Sequence, residues 1–286
     1  MMSSALFRLL QVWRPELPES SDGRPLTTAV SHFVHFPYDR LPSNTLVAVL
    51  MRPEVVLGLI IFYLVSKKIL KLAMKVSGFR AETAAFQFFI AAHNLGLAVF
   101  SGVCAYNSWP IVIQHLATRG LMATYCDKDG SLWGEGGLGA WATVFYISKY
   151  YEFVDTWILV LKGKEASFLQ VYHHTGIVLA MYGGVASQSA WLLFVVLLNS
   201  VIHTLMYVYF FIKTISPKTE IKAARYLTMA QIGQFFTGIG CSVGVLVMGD
   251  RCDTQSSRAS LLFLHIYGFG LIALFRAFAK KKYKKS

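Results

Sequence analysis

The apolar run QVYHHTGIV, residues 170–178, carries two adjacent histidines, His173 and His174, with Gln170 one helical turn before them. Upstream, SKYYEFVDTW sets Lys149, Glu152 and Asp155 at three-residue intervals, with Thr156 four residues after Glu152. On one continuous helix these share a face. Downstream, NSVIHTLMYVYF places Asn199, His203 and Tyr207 at four-residue steps, and TMAQIGQ places Thr228, Gln231 and Gln234 at three. An imidazole attacks a thioester competently, and the acyl-imidazole formed is reactive enough to pass the acyl group on. A second histidine relays protons, while amides and hydroxyls support an oxyanion. No GxSxG elbow competes for the role of nucleophile, and neither intramembrane cysteine has a histidine near it in sequence.

The same residues have plainer readings. The charges of SKYYEFVDTW could buttress two helices near a membrane interface, and glutamines such as Gln231 and Gln234 join membrane helices. What decides between them is the solvent. Of 286 residues, 55% are hydrophobic and 15% charged, too few charges to cover a soluble domain of this length. Apolar runs of near bilayer-spanning length recur along the chain, and their continuity argues for helices over a transmembrane barrel. Seven spans are expected, at about 53–72, 84–106, 139–160, 167–187, 190–212, 227–248 and 260–279. A charge at the centre of an inserted helix costs about 2.5–3.5 kcal/mol, so Lys149, Glu152 and Asp155 have to pair or face a polar cavity. Four consecutive spans each carry a polar stripe, and one shared cavity accounts for all four.

The net charge of +12 does not indicate nucleic acid, because the lysines cluster between apolar runs as membrane-flanking loops do. One face takes Lys67, Lys68, Lys71, Lys75 and Arg80, then Lys162 and Lys164, then Lys213, Lys218, Lys222 and Arg225, then the basic tail. Most basic residues therefore lie on that side, which the positive-inside rule makes cytosolic, with the C-terminus. The ending KYKKS has lysines in the pattern KxKxx, a dilysine-type retrieval signal for the endoplasmic reticulum. Residues 1–44, with Pro15, Pro18, Pro25, Pro37 and Pro42, read as a Pro-containing extension on the lumenal side without an evident signal peptide. Residues 45–279 form one seven-span domain and 280–286 the cytosolic tail. Cys104 and Cys241 fall within spans; Cys126 and Cys252 fall in two connections on the oxidising side, where a disulfide would tie the loops if their separation allows it.

Two other function classes fit parts of the pattern. A di-iron desaturase or hydroxylase uses many clustered imidazoles; the chain has eight histidines, but His32 and His35 lie in the extension and His93, His115 and His265 stand alone. A seven-span receptor or transporter fits the spans only.

Together, K-x-x-E-x-x-D-T at Lys149 to Thr156, Q-x-x-H-H at Gln170 to His174, N-S-x-x-H-x-x-M-Y at Asn199 to Tyr207 and T-x-x-Q-x-x-Q at Thr228 to Gln234 resemble, in order, the signature of the ELO family of very-long-chain fatty acid elongases. The resemblance implies an all-α polytopic enzyme of the endoplasmic reticulum membrane, with six of seven helices forming a barrel around an acyl-chain tunnel. The implied reaction condenses a long-chain acyl-CoA with malonyl-CoA to a 3-oxoacyl-CoA two carbons longer, releasing CO2 and CoA. It further implies His173 as acyl acceptor, His203 as proton carrier or enolate stabiliser, and His174, Asn199 and Gln170 as orienting groups. Lys149, Glu152, Asp155, Thr156, Tyr207, Gln231 and Gln234 would support the site, and Cys126 would pair with Cys252. No metal or bound cofactor is implied; malonyl-CoA is a co-substrate. Expected partners are membrane lipids, the ketoacyl reductase, dehydratase and enoyl reductase of the elongation cycle, and a second copy as homodimer. The box usually opens with histidine. Gln170 in that place resembles elongases of polyunsaturated acids from algae, fungi and other lower eukaryotes, implying a polyunsaturated C18 donor.

Overall fold

The computed structural model describes residues 45–77, 81–135, 137–220 and 223–283, together with Val30. The rest of the extension, Arg80, Lys222, and Lys284 and Lys285 of the KxKxx ending lie outside them. Among the described residues the chain is all-helical. A short α1 (Leu46–Leu50) precedes α2 (Pro53–Ser77), which opens on a proline whose missing N–H is not needed there. The long α3 (Ala84–Arg119) is capped by Thr83, whose Oγ accepts from the Phe86 N–H. After α4 (Leu121–Cys126) and a π-helical turn (Ser131–Glu135) come α5 (Leu138–Tyr151) and α6 (Phe153–Leu161). Ser167 caps α7 (Phe168–Ala186) in the same manner. The chain ends with α8 (Leu192–Ile215), α9 (Ala224–Met248) and α10 (Gln255–Tyr283).

Four of these, α3, α8, α9 and α10, are long and apolar enough to cross a membrane by length and composition. The other expected spans fall on α2, on α5 with α6, and on α7. Each falls short for a visible reason: α2 carries Lys67, Lys68, Lys71 and Lys75, α5 and α6 are each too short, and α7 carries Gln170, His173 and His174.

The expected single helix over 139–160 is therefore two. Glu152 sits at the break, its N–H bonded to the Ser148 carbonyl at 3.0 Å while its own carbonyl accepts a three-residue turn from Asp155 N–H at 3.1 Å. Tightening the ladder there rotates α6 relative to α5. Lys149, Glu152, Asp155 and Thr156 consequently do not form one stripe: they point to three different sets of neighbours.

Packing runs from α3 to α8, α8 to α9, α9 to α10, α10 to α7, α7 to α5 and α5 back to α3, while α2 packs against α6 and α7. At one end of this circuit Cys126 and Cys252 are disulfide-bonded, with Cα atoms 4.7 Å apart. Next to them the Asp127 carboxylate receives the backbone N–H groups of Leu132 and Trp133 at 2.7 and 2.8 Å, closing the π-helical turn. Burial outweighs those donors and raises the Asp127 carboxyl to about 7. Also at this end, Ser189 bonds Ser257, and the buried Trp191 indole N–H donates to Ser257 Oγ at 3.0 Å.

Candidate active site

Where α5 meets α6, Lys149 is fully buried. Its Nζ lies 2.7 Å from Glu152 Oε1, 3.3 Å from Asn199 Oδ1 on α8, and 3.8 Å above the Phe145 ring. An ammonium with a carboxylate, an amide oxygen and a π-face has exchanged its water for fixed partners, which is how a charge survives in such a place. His203, one turn below Asn199 on α8, brings Nδ1 to 3.6 Å from Glu152 Oε1, a charge contact longer than a hydrogen bond.

Asp155 turns the other way. His93 Nε2, from α3, donates to its Oδ1 at 2.8 Å, and the Tyr207 hydroxyl donates to Oδ2 at 2.7 Å. Thr156 faces α2 and α7: its hydroxyl lies 2.9 Å from Tyr63 OH and accepts from Gln170 Nε2 at 3.2 Å. The other Gln170 amide hydrogen is directed at His174 Nε2, 3.3 Å away. Gln170 thus bridges Thr156 and His174, which a box opening with histidine would do with different geometry.

His173 points inward, its ring centroid 5.4 Å from that of His174 and 6.4 Å from that of His203. His173, Asn199 and Gln234 are among the residues lining an apolar pocket of about 610 Å³, part of it open to solvent. Trp191, Phe194, Leu198, Phe235 and Leu271 are among its walls.

Among the described residues, six buried side-chain polar atoms have no hydrogen-bond partner. Four belong here: Glu152 Oε2, His174 Nδ1, His203 Nδ1 and Gln234 Oε1. Orphaned polar atoms are costly and rare in folded proteins; Gln234 lines the pocket, and the other three belong to the adjoining polar cluster. Gln231 and Thr228, read in the same stripe as Gln234, go elsewhere. Gln231 reaches Met206 Sδ on α8 and joins two helices, and Thr228 lies 3.1 Å from the Tyr283 hydroxyl.

Donor atoms of Glu152, His173 and His203 all lie within 4.8 Å of one another, a set that a divalent ion would find attractive on ligand type. The buried Lys149 ammonium argues against one, since it already compensates Glu152 and would face the dication across a low-dielectric gap. Among the described residues the other imidazoles have partners of their own, His174 beside His173 being held by Gln170. His93 is held by Asp155, His115 by Thr124 and Ser131, and His265 by Ser242; His32 and His35 lie outside the described residues.

Sequence patterning does not reveal His93, Tyr63 or Tyr267, which α3, α2 and α10 bring to the site. Tyr267 places its hydroxyl 2.9 Å from His173 Nδ1.

Residues 48–286 match the family described as ELO: GNS1/SUR4 family. The chain belongs to the ELO family. Among its relatives, the chain is 32% identical over 197 residues to long chain fatty acid elongase 2 of Caenorhabditis elegans, covering 68% of this chain and 71% of that one. It is 31% identical over 201 residues to fatty acid elongase sre1 of Dictyostelium discoideum, covering 69% and 73%. A shorter match, 32% over 146 residues, is to fatty acid elongase 2 of Trypanosoma brucei brucei, covering 51% and 54%. These matches and the apolar helices together identify an ELO-family fatty acid elongase, a multi-pass membrane protein of lipid biosynthesis.

Proposed function

We propose that this ELO-family protein is the condensing enzyme of fatty acid elongation. It joins a long-chain acyl-CoA to malonyl-CoA and produces a 3-oxoacyl-CoA two carbons longer, with CO2 and CoA. One observation carries the reading: His173 belongs both to a dense polar cluster and to the lining of an apolar pocket. That is where a thioester carbon has to lie if its alkyl chain fills the pocket.

In this reading His173 attacks the thioester carbonyl, the C–S bond breaks, and CoA leaves as a thiolate that takes up a proton. Malonyl-CoA then loses CO2, and the resulting enolate carbon attacks the acyl-imidazole, freeing His173. His203 carries the proton or steadies the enolate, as its distance from His173 and Glu152 permits. Asn199, His174 and Gln170 orient the reacting groups; Lys149 and Glu152 set the local field, and Asp155, Thr156 and Tyr207 hold the walls around them. The packing circuit of α3, α8, α9, α10, α7 and α5 supports the reading of a six-helix barrel in a seven-span protein, with α2 outside it. Lys67, Lys68, Lys162 and Lys164 suit the phosphates of CoA on the cytosolic face, and the KxKxx ending suits residence in the endoplasmic reticulum. Gln170 favours a polyunsaturated C18 donor.

The test uses purified protein with polyunsaturated C18 acyl-CoA and no malonyl-CoA. Mass spectrometry is expected to find free CoA and an acyl adduct on His173, which malonyl-CoA discharges as a C20 3-oxo product. Turnover that requires both substrates, with no adduct trapped, would demote His173 to a base. Absence of turnover with any acyl-CoA would remove the assignment.

A further inference from the structure

The Tyr267 hydroxyl makes two contacts with the same residue: 2.9 Å to His173 Nδ1 and 3.1 Å to the His173 carbonyl oxygen. A phenol has one hydrogen to give. A carbonyl oxygen only accepts, so the hydroxyl hydrogen goes there, and Nδ1 has to be the donor in the other contact. Reversing the pair would leave two oxygens facing each other at 3.1 Å without a hydrogen between them. The geometry points to Tyr267 as a positioning residue that keeps the proton of His173 on Nδ1 and so presents the lone pair on Nε2. The inference rests on His173 being the acyl acceptor.

The surrounding packing is built to hold this hydroxyl still. Gly176, one turn after His173, leaves the space the Tyr267 ring fills: a Cβ there would lie 2.2 Å from a ring carbon. Reciprocally, Gly270 on α10 admits Tyr172 from α7, where a Cβ would lie 2.2 Å from the Tyr172 hydroxyl. The two tyrosine rings stack with centroids 5.4 Å apart, and Tyr172 OH donates to the Tyr267 carbonyl at 3.2 Å. Tyr267 itself is buried. Two glycines and a stacked pair thus lock α7 to α10 at the position of His173.

Chemically, the Nε2 lone pair forms the C–N bond to the thioester carbon as the C–S pair leaves on the CoA sulfur. The proton stays on Nδ1. The N-acyl imidazolium that results carries its positive charge against the Tyr267 oxygen, which already accepts from that N–H. When the enolate attacks, the C–N pair returns to Nε2 and His173 regains its starting tautomer with no proton moved. Without Tyr267 the imidazole is free to place its proton on Nε2, where it blocks attack.

The experiment measures CoA release from acyl-CoA alone in a single turnover, using the full chain in detergent. Tyr267→Phe keeps the ring between Gly176 and Tyr172 and removes only the hydroxyl. Its acylation rate is expected to fall about 10- to 100-fold, the scale on which orienting partners of an imidazole act, with half-saturation within about two-fold. Adding His173→Nδ1-methylhistidine to Tyr267→Phe fixes the lone pair on Nε2 chemically and fills the space of the lost oxygen. It is expected to restore most of the rate. An unchanged rate in Tyr267→Phe, or a loss the methyl group does not rescue, overturns the inference. Nitrogen NMR of histidine-labelled wild type, with His173 assigned by its loss in His173→Gln, reads the tautomer without any change at Tyr267. A proton on Nδ1 supports the inference and a proton on Nε2 overturns it. If the wild type itself releases no CoA without malonyl-CoA, the nucleophile assignment has failed, and the NMR pattern still decides the tautomer.

Discussion

Lys149 and Glu152 form an ion pair of 2.7 Å across a helix break, with neither side chain meeting solvent. Both charges lie where each alone would be expensive, so their worth depends on each other. Removing one partner of such a pair typically costs about 3–5 kcal/mol, whereas replacing both with apolar groups is far milder. Lys149→Met and Glu152→Leu are each expected to lower thermal stability in detergent sharply. The double variant Lys149→Met, Glu152→Leu should be more stable than either single change implies by addition. Strict additivity in a thermal-unfolding cycle would contradict the pairing.

Asp155 has both oxygens occupied, by His93 and by Tyr207. Asp155→Asn offers one acceptor and two donors in a place arranged for two acceptors, so a donor–donor conflict arises with one neighbour. The expected loss is about 1–3 kcal/mol of stability, with condensation reduced at least about ten-fold through displacement of the α6 start. His93→Phe should reproduce the stability loss. Radiolabelled malonyl-CoA incorporation and melting curves on the same preparations check both.

Leu198 stands in the pocket wall one residue before Asn199. Leu198→Trp is expected to take up space needed by the alkyl chain and leave the polar cluster alone. Preference should shift toward shorter donors by about ten-fold or more, on the scale of two lost methylenes of burial or greater. Competing acyl-CoAs of graded length in one reaction read this directly; uniform loss across lengths would mean that the wall is not chain-lining.

Gly176 is the position at which a single methyl group meets the Tyr267 ring. Gly176→Ala should slow acylation at least as much as Tyr267→Phe, since it displaces ring and hydroxyl together. Gly233→Ala, with nothing within 4 Å of the added carbon, is the control and is expected to behave as wild type.

The disulfide end carries its own pH dependence. Burial raises the Asp127 carboxyl to about 7 against 3.8 in an open chain. A folded carboxyl that holds its proton more tightly stabilises the fold when protonated. Its contribution is complete below about pH 4, is lost as pH rises to about 7, and is constant above that. Melting temperature should therefore fall across this window, with a slope of up to about 1.4 kcal/mol per pH unit from this group, and Asp127→Asn should flatten it. Reduction of Cys126–Cys252 should cost about 2–5 kcal/mol at any pH in that range.

The readable part of this protein was its four polar stripes, because in an apolar chain each charged or imidazole group stands out and its spacing names a helix face. His173, His203, Lys149, Glu152 and Asn199 come together from those stripes. Thr228 and Gln231 share the spacing but not the site, since period alone does not say how far along a helix the cavity extends. The break at Glu152 left no proline or glycine to announce it. His93, Tyr63 and Tyr267 were hidden for a different reason: each lies outside the four stripes, 62 to 94 residues from the partner it serves. Tyrosines are also ordinary at membrane interfaces, so nothing local distinguishes one that bonds a histidine of the cluster.

Trp191, buried and hydrogen-bonded to Ser257, lines the same pocket as His173. On the proposed function Trp191 is the floor of the acyl site, and each product that returns as a donor brings a methyl end two carbons nearer it while its carbonyl must still reach His173. The floor therefore acts as a ruler, and the series stops when the chain has no depth left. Termination needs no recognition of the finished acid, only a wall that does not yield.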